Sequence, residues 1–327
     1  MLEFSTNFMK LCLARIAPLA VLAVLIGMAG EASAAPKRGK PALVTAPVPA
    51  GPIPMTESLS DGGYRAKSGS TIELYLPPTF ASYDGKYDLI LHFHGVAKAQ
   101  EANIVAAKLN AAIVSVNLGV QSDKYAYSFA APAQFDALLA TADKLVQASG
   151  RANKAKVGRI ALSAWSAGFA SVSAILKQDE ARARVDAVML ADGLHAAYSD
   201  PKKHTIDERG LAKYAALSQE ASRGEKLFVL THSSIPTYGY ANVSETVGTV
   251  LKLASIEKAA PPTSSPRNMQ AIYAVNRGDF HVTGYQGKGV NDHIDHIWAM
   301  GQTMYPLLAA RWNKPAKAPE AVAPTAP

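Results

Sequence analysis

Cysteine is all but missing: Cys12 is the one cysteine among 327 residues, so no intramolecular disulfide can staple the fold and no cysteine set can hold a metal. A membrane-spanning run is also missing, since the apolar stretch 16–29 covers about 14 residues where roughly 20 are needed to cross a bilayer. Charge is sparse at 18% of the chain, with a net of +7. Its basic residues are scattered, some of them (Lys37, Arg38 and Lys40) close to the N-terminus. No Lys/Arg array interleaved with aromatics appears, which excludes nucleic acid as an expected partner. No internal repeat and no His-Glu-x-x-His zinc motif is present.

What is present begins with an export pattern. Lys10 and Arg15 precede the apolar run, and Ala32-Ser33-Ala34 follows it with small residues at cleavage spacing. Residues 1–34 are therefore read as a signal peptide, which makes the expected location secreted or periplasmic, with no stable membrane span after cleavage. Cys12 precedes the apolar run, where a lipoprotein cysteine does not sit, and leaves with the signal. Residues 35–54, rich in Pro, Ala and Lys, and 315–327, rich in Pro and Ala, are expected to be disordered. Between them, 55–314 is long enough for one domain with a substantial core.

Within that domain short apolar runs alternate with helical patterns. Strands are predicted at 71–76, 87–93, 111–116, 158–162, 185–190, 226–230 and 270–275, several of them apolar throughout, as suits strands covered on both faces of a parallel sheet. Helices are predicted at 99–110, 132–149, 167–177, 207–222, 244–257 and 292–312, with Pro132 at a first turn and Ser244 or Asp292 as caps. The alternation predicts βαβ units in a three-layer α/β/α sandwich with a mainly parallel sheet. Ligands bind such sheets outside the carboxyl ends of the strands, so the residues just after each strand matter most.

Three strand ends carry chemistry. Strand 158–162 runs through Ala164-Trp165-Ser166-Ala167-Gly168 into a helical pattern, a turn so abrupt that only small neighbours fit around the serine. Strand 87–93 ends in His92-Phe93-His94-Gly95-Val96, and His293 and His296 stand at the start of the last predicted helix. The first stretch resembles the Gly-x-Ser-x-Gly nucleophile elbow of the α/β-hydrolase fold, with Ala164 in place of the first glycine. The second resembles the His-Gly oxyanion loop of lipases and esterases of that fold. In element order the resemblance runs over roughly 71–312.

The resemblance implies a serine hydrolase cleaving ester, or with the same groups amide, bonds of a small-molecule or polymer substrate, without a cofactor. Ser166 becomes the nucleophile. Ala167 supplies one oxyanion N–H and Gly95 or Val96 the other, with the His94 side chain bracing the loop. His293 becomes the base, with His296 and His281 as alternates; His281 lies in a segment alternating Phe280, Val282 and Tyr285 with polar residues, the pattern of an extended strand rather than a loop. The acid in this family usually follows the next-to-last strand, where Thr231-His232-Ser233-Ser234 offers no carboxylate. Asp192, after the preceding strand, is read as the acid, with Glu245 as alternate. Ser163 is read as a structural residue bonding the backbone and His92 as a core histidine. Among aromatics after strands, Trp165, Tyr238 and Tyr240 are the expected substrate contacts, with Tyr125, Tyr127 and Phe129 weaker candidates; no segment is long enough for a lipase lid.

Two other classes stay open at this level. His92 with His94, or Asp292, His293, Asp295 and His296, are residue types that bind metals, and three-residue spacing puts His293 and His296 on one helical face. The carboxylate missing after the next-to-last strand also leaves room for a non-catalytic envelope or binding protein of this fold. The sequence leaves oligomeric state open.

Overall fold

The computed structural model describes residues 61–313; the expected signal (1–34), linker (35–54) and tail (315–327), and the outer edges of the 55–314 domain, lie outside the described residues. The described chain runs β1 (Tyr64–Ser68), β2 (Ile72–Leu76), β3 (Lys86–Phe93), α1 (Ala97–Ala106), β4 (Ala112–Val116), α2 (Ser122–Ser128), α3 (Pro132–Ala148) and β5 (Lys156–Trp165). One 3₁₀ turn, Ser166–Gly168, leads into α4 (Phe169–Ile175), α5 (Asp179–Arg184) and β6 (Val185–Ala191). Then come β7 (Ala196–Asp200), β8 (Thr205–Ile206), α6 (Ala212–Ser222), β9 (Leu227–His232), β10 (Tyr240–Ala241) and α7 (Val243–Ala254). The last elements are β11 (Ala271–Arg277), β12 (Phe280–Tyr285), α8 (Val290–Trp298), α9 (Met300–Thr303) and α10 (Tyr305–Trp312).

Nine strands form one sheet in the order β1-β2-β4-β3-β5-β6-β9-β12-β11. The six from β4 to β12 in that order are mutually parallel, while β1, β2 and β11 join antiparallel at the edges. The predicted sandwich is found, and its two cores follow from the period-2 alternation of side chains along each strand. Leu89, Leu91 and Phe93 of β3 and Val188 and Leu190 of β6 pack with Phe135, Val172, Tyr214 and Val247 of the helices on one face. Ile90, Ala187 and Met189 point the other way, to Ile104, Ile297, Met304 and Tyr305. Strands covered on both sides have no solvent face, which is why they read as unbroken apolar runs. Among the described residues no helix is long and apolar enough to cross a membrane.

Several elements depart from the sequence reading. The strand expected to be last, β11, turns back at Gly278, whose φ of +60° suits the tight turn, and β12 follows as the last parallel strand. The alternation around His281 is therefore that of a strand rather than a loop. A small second sheet, β10-β7-β8, has strands of only two to five residues, too short to show periodicity. Helix α2 has one buried side chain, Tyr125, so it offers no apolar stripe to read. Helix α6 starts later than predicted because Asp207 caps a separate 3₁₀ turn, Glu208–Gly210.

The long C-terminal helix is broken twice. Pro306, lacking an N–H, starts a new segment, α10. The break near Ala299 is stitched by Asn103 of α1, whose amide donates to the Ile297 carbonyl (2.7 Å) and accepts from the Gly301 N–H (2.9 Å). Asn103 is 3% exposed, so Asn103→Ala would leave both backbone groups unpaired in the interior. We expect a loss of about 2 kcal/mol or more in urea unfolding; a neutral substitution would show that the break is held by other contacts.

Candidate active site

Strands β3, β5 and β6 lie side by side, and each leaves the sheet through a residue with left-handed backbone: His94 (φ 71°), Ser166 (φ 49°) and Asp192 (φ 44°). None is glycine, and each such conformation costs about 1–3 kcal/mol that the surroundings must offset. The register pairs Phe93 with Ala164 and Trp165 with Ala191, so Ser166 and Asp192 leave the sheet as neighbours. Glycines let the exits stack. A Cβ on Gly168 would overlap the carbonyl of Phe93, and one on Gly193 would overlap the main chain of Ser166. The turn at Ser166 is thereby pressed between the loops that follow β3 and β6.

Ser166 and Ala167 are partly exposed on the 3₁₀ turn. The first amides of a helical turn have no partner within it, and that of Ala167 is one of these. Gly95 and Val96 immediately precede α1, where the chain is again extended and no side chain caps the helix. Their loop is tied at several points. The His94 N–H donates to the Val116 carbonyl (2.9 Å), the Asn117 side chain donates to the Gly95 carbonyl (3.1 Å), and His94 Nδ1 lies 3.0 Å from the Tyr125 hydroxyl.

Beneath that loop a buried pair fixes its own protons. His92 Nε2 lies 2.8 Å from the His94 carbonyl, which only accepts, so Nε2 donates; Nδ1 is then the acceptor for the Ser163 hydroxyl at 2.9 Å. Ser163 thus bonds a ring and not the backbone, and the pair holds the carbonyl of a residue in left-handed conformation. Burial holds His92 neutral, its pKa lowered to about 3. Burial, aided by His293, lowers His94 to about 4.

Asp192 is 2% exposed. Its carboxylate accepts from the Ser233 N–H (2.8 Å), the Ser233 hydroxyl (2.8 Å to Oδ2) and His293 Nδ1 (2.7 Å). Burial alone would raise its pKa; the nearby His296 and His293 and the Ser233 donor outweigh burial and hold it well below the ordinary carboxylate range. An imidazole that donates from Nδ1 to a carboxylate presents Nε2 as a base. His293 stands near the start of α8, where Asp292 accepts from the N–H groups of Lys288 and Gly289 (2.9 Å each). Asp292 is therefore the third residue of the helix reaching back, and not its cap. Trp165 joins the parts: its ring stacks on His94 at 5.1 Å, lies 4.5 Å from the His293 ring, and its Nε1–H donates to the His293 carbonyl (2.9 Å).

The alternates fall elsewhere. His296 is 1% exposed, bonded to the Thr231 hydroxyl at 2.8 Å and lowered by burial to about 4. His281 lies on β12 with Nδ1 2.9 Å from Asn276 Oδ1. Glu245 completes the capping box of α7 with Asn242, which replaces the predicted cap at Ser244. Of the expected substrate contacts, Trp165 is 2% exposed and packs the site from within. Tyr240 sets its edge on His195, and Tyr125 and Phe129 are buried. Tyr238, 83% exposed, and Tyr127, 73%, are open to solvent. Ser233 is the residue sequence reasoning missed. The segment Thr231 to Ser234, searched for a carboxylate, instead supplies the donors that hold the carboxylate of the neighbouring strand. Among the described residues no group of three or more His, Cys, Asp or Glu converges as a metal site; Asp295, one of the suspected ligands, pairs with Arg267 (2.6 Å).

No protein-family model matches the chain, and no curated protein matches it in sequence. Solved structures are similar only loosely. An uncharacterised protein from Capnocytophaga ochracea is 10% identical with a TM-score of 0.42, over 78% of this chain and 63% of its own, so this chain spans less than two thirds of that protein. A putative carboxylesterase from Lactobacillus plantarum is 16% identical with a TM-score of 0.37, over 76% and 95%. A feruloyl esterase module from Clostridium thermocellum is 14% identical with a TM-score of 0.40, over 83% and 94%. The strand order, with β1 and β2 antiparallel and the parallel strands crossing over at β4-β3-β5, identifies the architecture by itself. The chain has the α/β-hydrolase fold. In that frame β9 is the next-to-last parallel strand and β12 the last, so His293 follows the last strand and Asp192 the one before β9.

Two predictions follow from the packing and the buried rings. Gly168→Ala forces a methyl into the Phe93 carbonyl and should cost about 1–3 kcal/mol in denaturant unfolding. Gly248→Ala, in α7 with open space around it, should gain about 0.5–1 kcal/mol; equal effects would undo the packing assigned to Gly168. The second concerns pH. Unfolded histidines protonate near 6.5, whereas His92, His94 and His296 in the fold do so only near 3 to 4. Their contribution is complete above 6.5 and is lost as pH falls below it, because unfolding then takes up protons, at about 1.4 kcal/mol per pH unit for each ring. Unfolding free energies between pH 7 and 4.5 should show this slope, and His92→Gln should flatten it by one ring's share. A flat profile would mean that these rings are not buried neutral.

Proposed function

We propose that the chain is an exported serine hydrolase acting on carboxylic esters, and with the same groups on amides, through Ser166, His293 and Asp192. The observation that carries this reading is the 2.7 Å bond from His293 Nδ1 to the buried Asp192 carboxylate, on a loop whose Gly193 rests on the backbone of Ser166. A buried carboxylate held by two serine donors and an imidazole costs desolvation that a merely structural contact would avoid.

In the proposed cycle the Ser166 hydroxyl attacks the carbonyl carbon while His293 Nε2 takes its proton, and Asp192 stabilises the imidazolium. The oxygen of the tetrahedral intermediate accepts from the Ala167 N–H and from Gly95 or Val96, donors aimed where negative charge develops. His293 then returns the proton to the departing alcohol or amine, leaving an acyl group on Ser166. Water, deprotonated by His293, releases the acid and restores the serine. Tyr238, exposed in the loop after β9, and Tyr127, exposed on α2, are proposed to meet the substrate. Export rests on the pattern at 1–34.

Labelling with a fluorophosphonate followed by peptide mapping should modify Ser166, and Ser166→Ala should abolish both labelling and hydrolysis of short p-nitrophenyl esters. Asp192→Asn should lower kcat by about 10⁴-fold with the fold intact. Labelling at another residue, or equal turnover by wild type and Ser166→Ala, would overturn the assignment.

A further inference from the structure

A cavity of about 220 Å³ is lined by Ser173 of α4, Lys177 just beyond that helix, His195, Asp207, and Lys213 and Tyr214 of α6. At this volume it suits a small group, since sites for drug-sized ligands run from roughly 300 Å³ upward. Its polar lining is unbalanced. Lys213 is only partly exposed and has three N–H donors. One reaches the Ser173 carbonyl at 3.3 Å, and the ammonium also lies 5.2 Å from the Tyr214 ring. No carboxylate pairs with Lys213 or Lys177 among the described residues.

The one acid on the wall does not balance them. Both oxygens of Asp207 are bonded to the Arg209 guanidinium, at 2.9 and 2.7 Å. The other groups are already engaged: Ser173 and Tyr214 share a short hydroxyl–hydroxyl bond, and His195 Nδ1 donates to the Ala241 carbonyl at 3.2 Å. Two basic residues thus line a small cavity, and the partly buried Lys213 keeps donors to spare, an arrangement that an anion would relieve.

We propose that this cavity binds a small oxyanion, either free or as the phosphate, sulfate or carboxylate end of a ligand, between Lys177 and Lys213. Inorganic phosphate, sulfate and acetate are the probes, titrated calorimetrically into the full chain at pH 6.5. At least one should give saturable single-site binding, and which one binds tightest distinguishes a phosphate or sulfate ligand from a carboxylate. Lys213→Met should weaken it about tenfold or more and Lys177→Gln by a smaller factor, while Asp207→Asn should strengthen it. Lys177 is exposed, so its variant tests the site without risk to folding, and circular dichroism checks Lys213→Met.

A second readout is proton linkage. Burial and the nearby Lys177 lower Lys213 to about 8, so affinity should fall as pH rises through that value. The other titratable groups facing the cavity are Lys177, His195, Asp207 and Tyr214, and the fall should vanish in Lys213→Met. Absence of saturable binding by all three anions, or binding unchanged in both lysine variants, would overturn the proposal. Because binding is read without turnover, its outcome is separate from that of the hydrolase reading.

Discussion

Three neighbouring strands end in backbone that L-residues avoid, and the site depends on that shared constraint. His94, Ser166 and Asp192 each turn left-handed on leaving β3, β5 and β6. Each turn throws a side chain or an amide above the edge of the sheet instead of along it. The cost is met by close packing: Gly168 on the Phe93 carbonyl, Gly193 on the Ser166 backbone, and Gly95 against Trp165 and Ile297. Because the strands are held in register by a two-sided core, a displacement at one exit is felt at the next.

A second layer of the same design is electrostatic. Asp192 is deeply buried yet kept ionised, because its oxygens are filled by donors from β9 and α8. His92, His94 and His296 are kept neutral by burial, so they act as directional hydrogen-bonding groups instead of charges. His92 shows the value of that choice, since a neutral ring with one defined donor and one acceptor bridges Ser163 to the His94 carbonyl and sets the loop from below. Trp165, between the rings of His94 and His293, links the loop after β3 to the start of α8.

Much of this was legible in the chain. Apolar runs of strand length, broken by helical periodicity, were enough for the sandwich. The small residues around Ser166 marked a place where the backbone had to bend sharply, and His94-Gly95 and Asp192 stood out as residues just after strands. Other parts were not legible. The strand β12 was legible only as an alternation around His281, because the two-residue turn from β11 hid its place in the sheet, and the C-terminal helix looked continuous because the break at Ala299 is repaired by Asn103, a residue nearly 200 positions away. Ser233 carried no signal, since a serine after a strand looks the same whether it faces solvent or a carboxylate.

By itself the sequence determined which residues stand at strand ends, because periodicity and small residues are local properties of the chain. It left three late histidines and two acids in competition, since spacing cannot say which side chains share a space. Only the tertiary structure shows which of them lie together. The β6–β9 pairing brings Ser233 to Asp192, and the start of α8 swings His293 over the same carboxylate while His296, three residues on, turns inward to Thr231. Those choices rest on contacts spanning 41 to 101 positions of chain, and distances of that kind exist only once the sheet has closed its register.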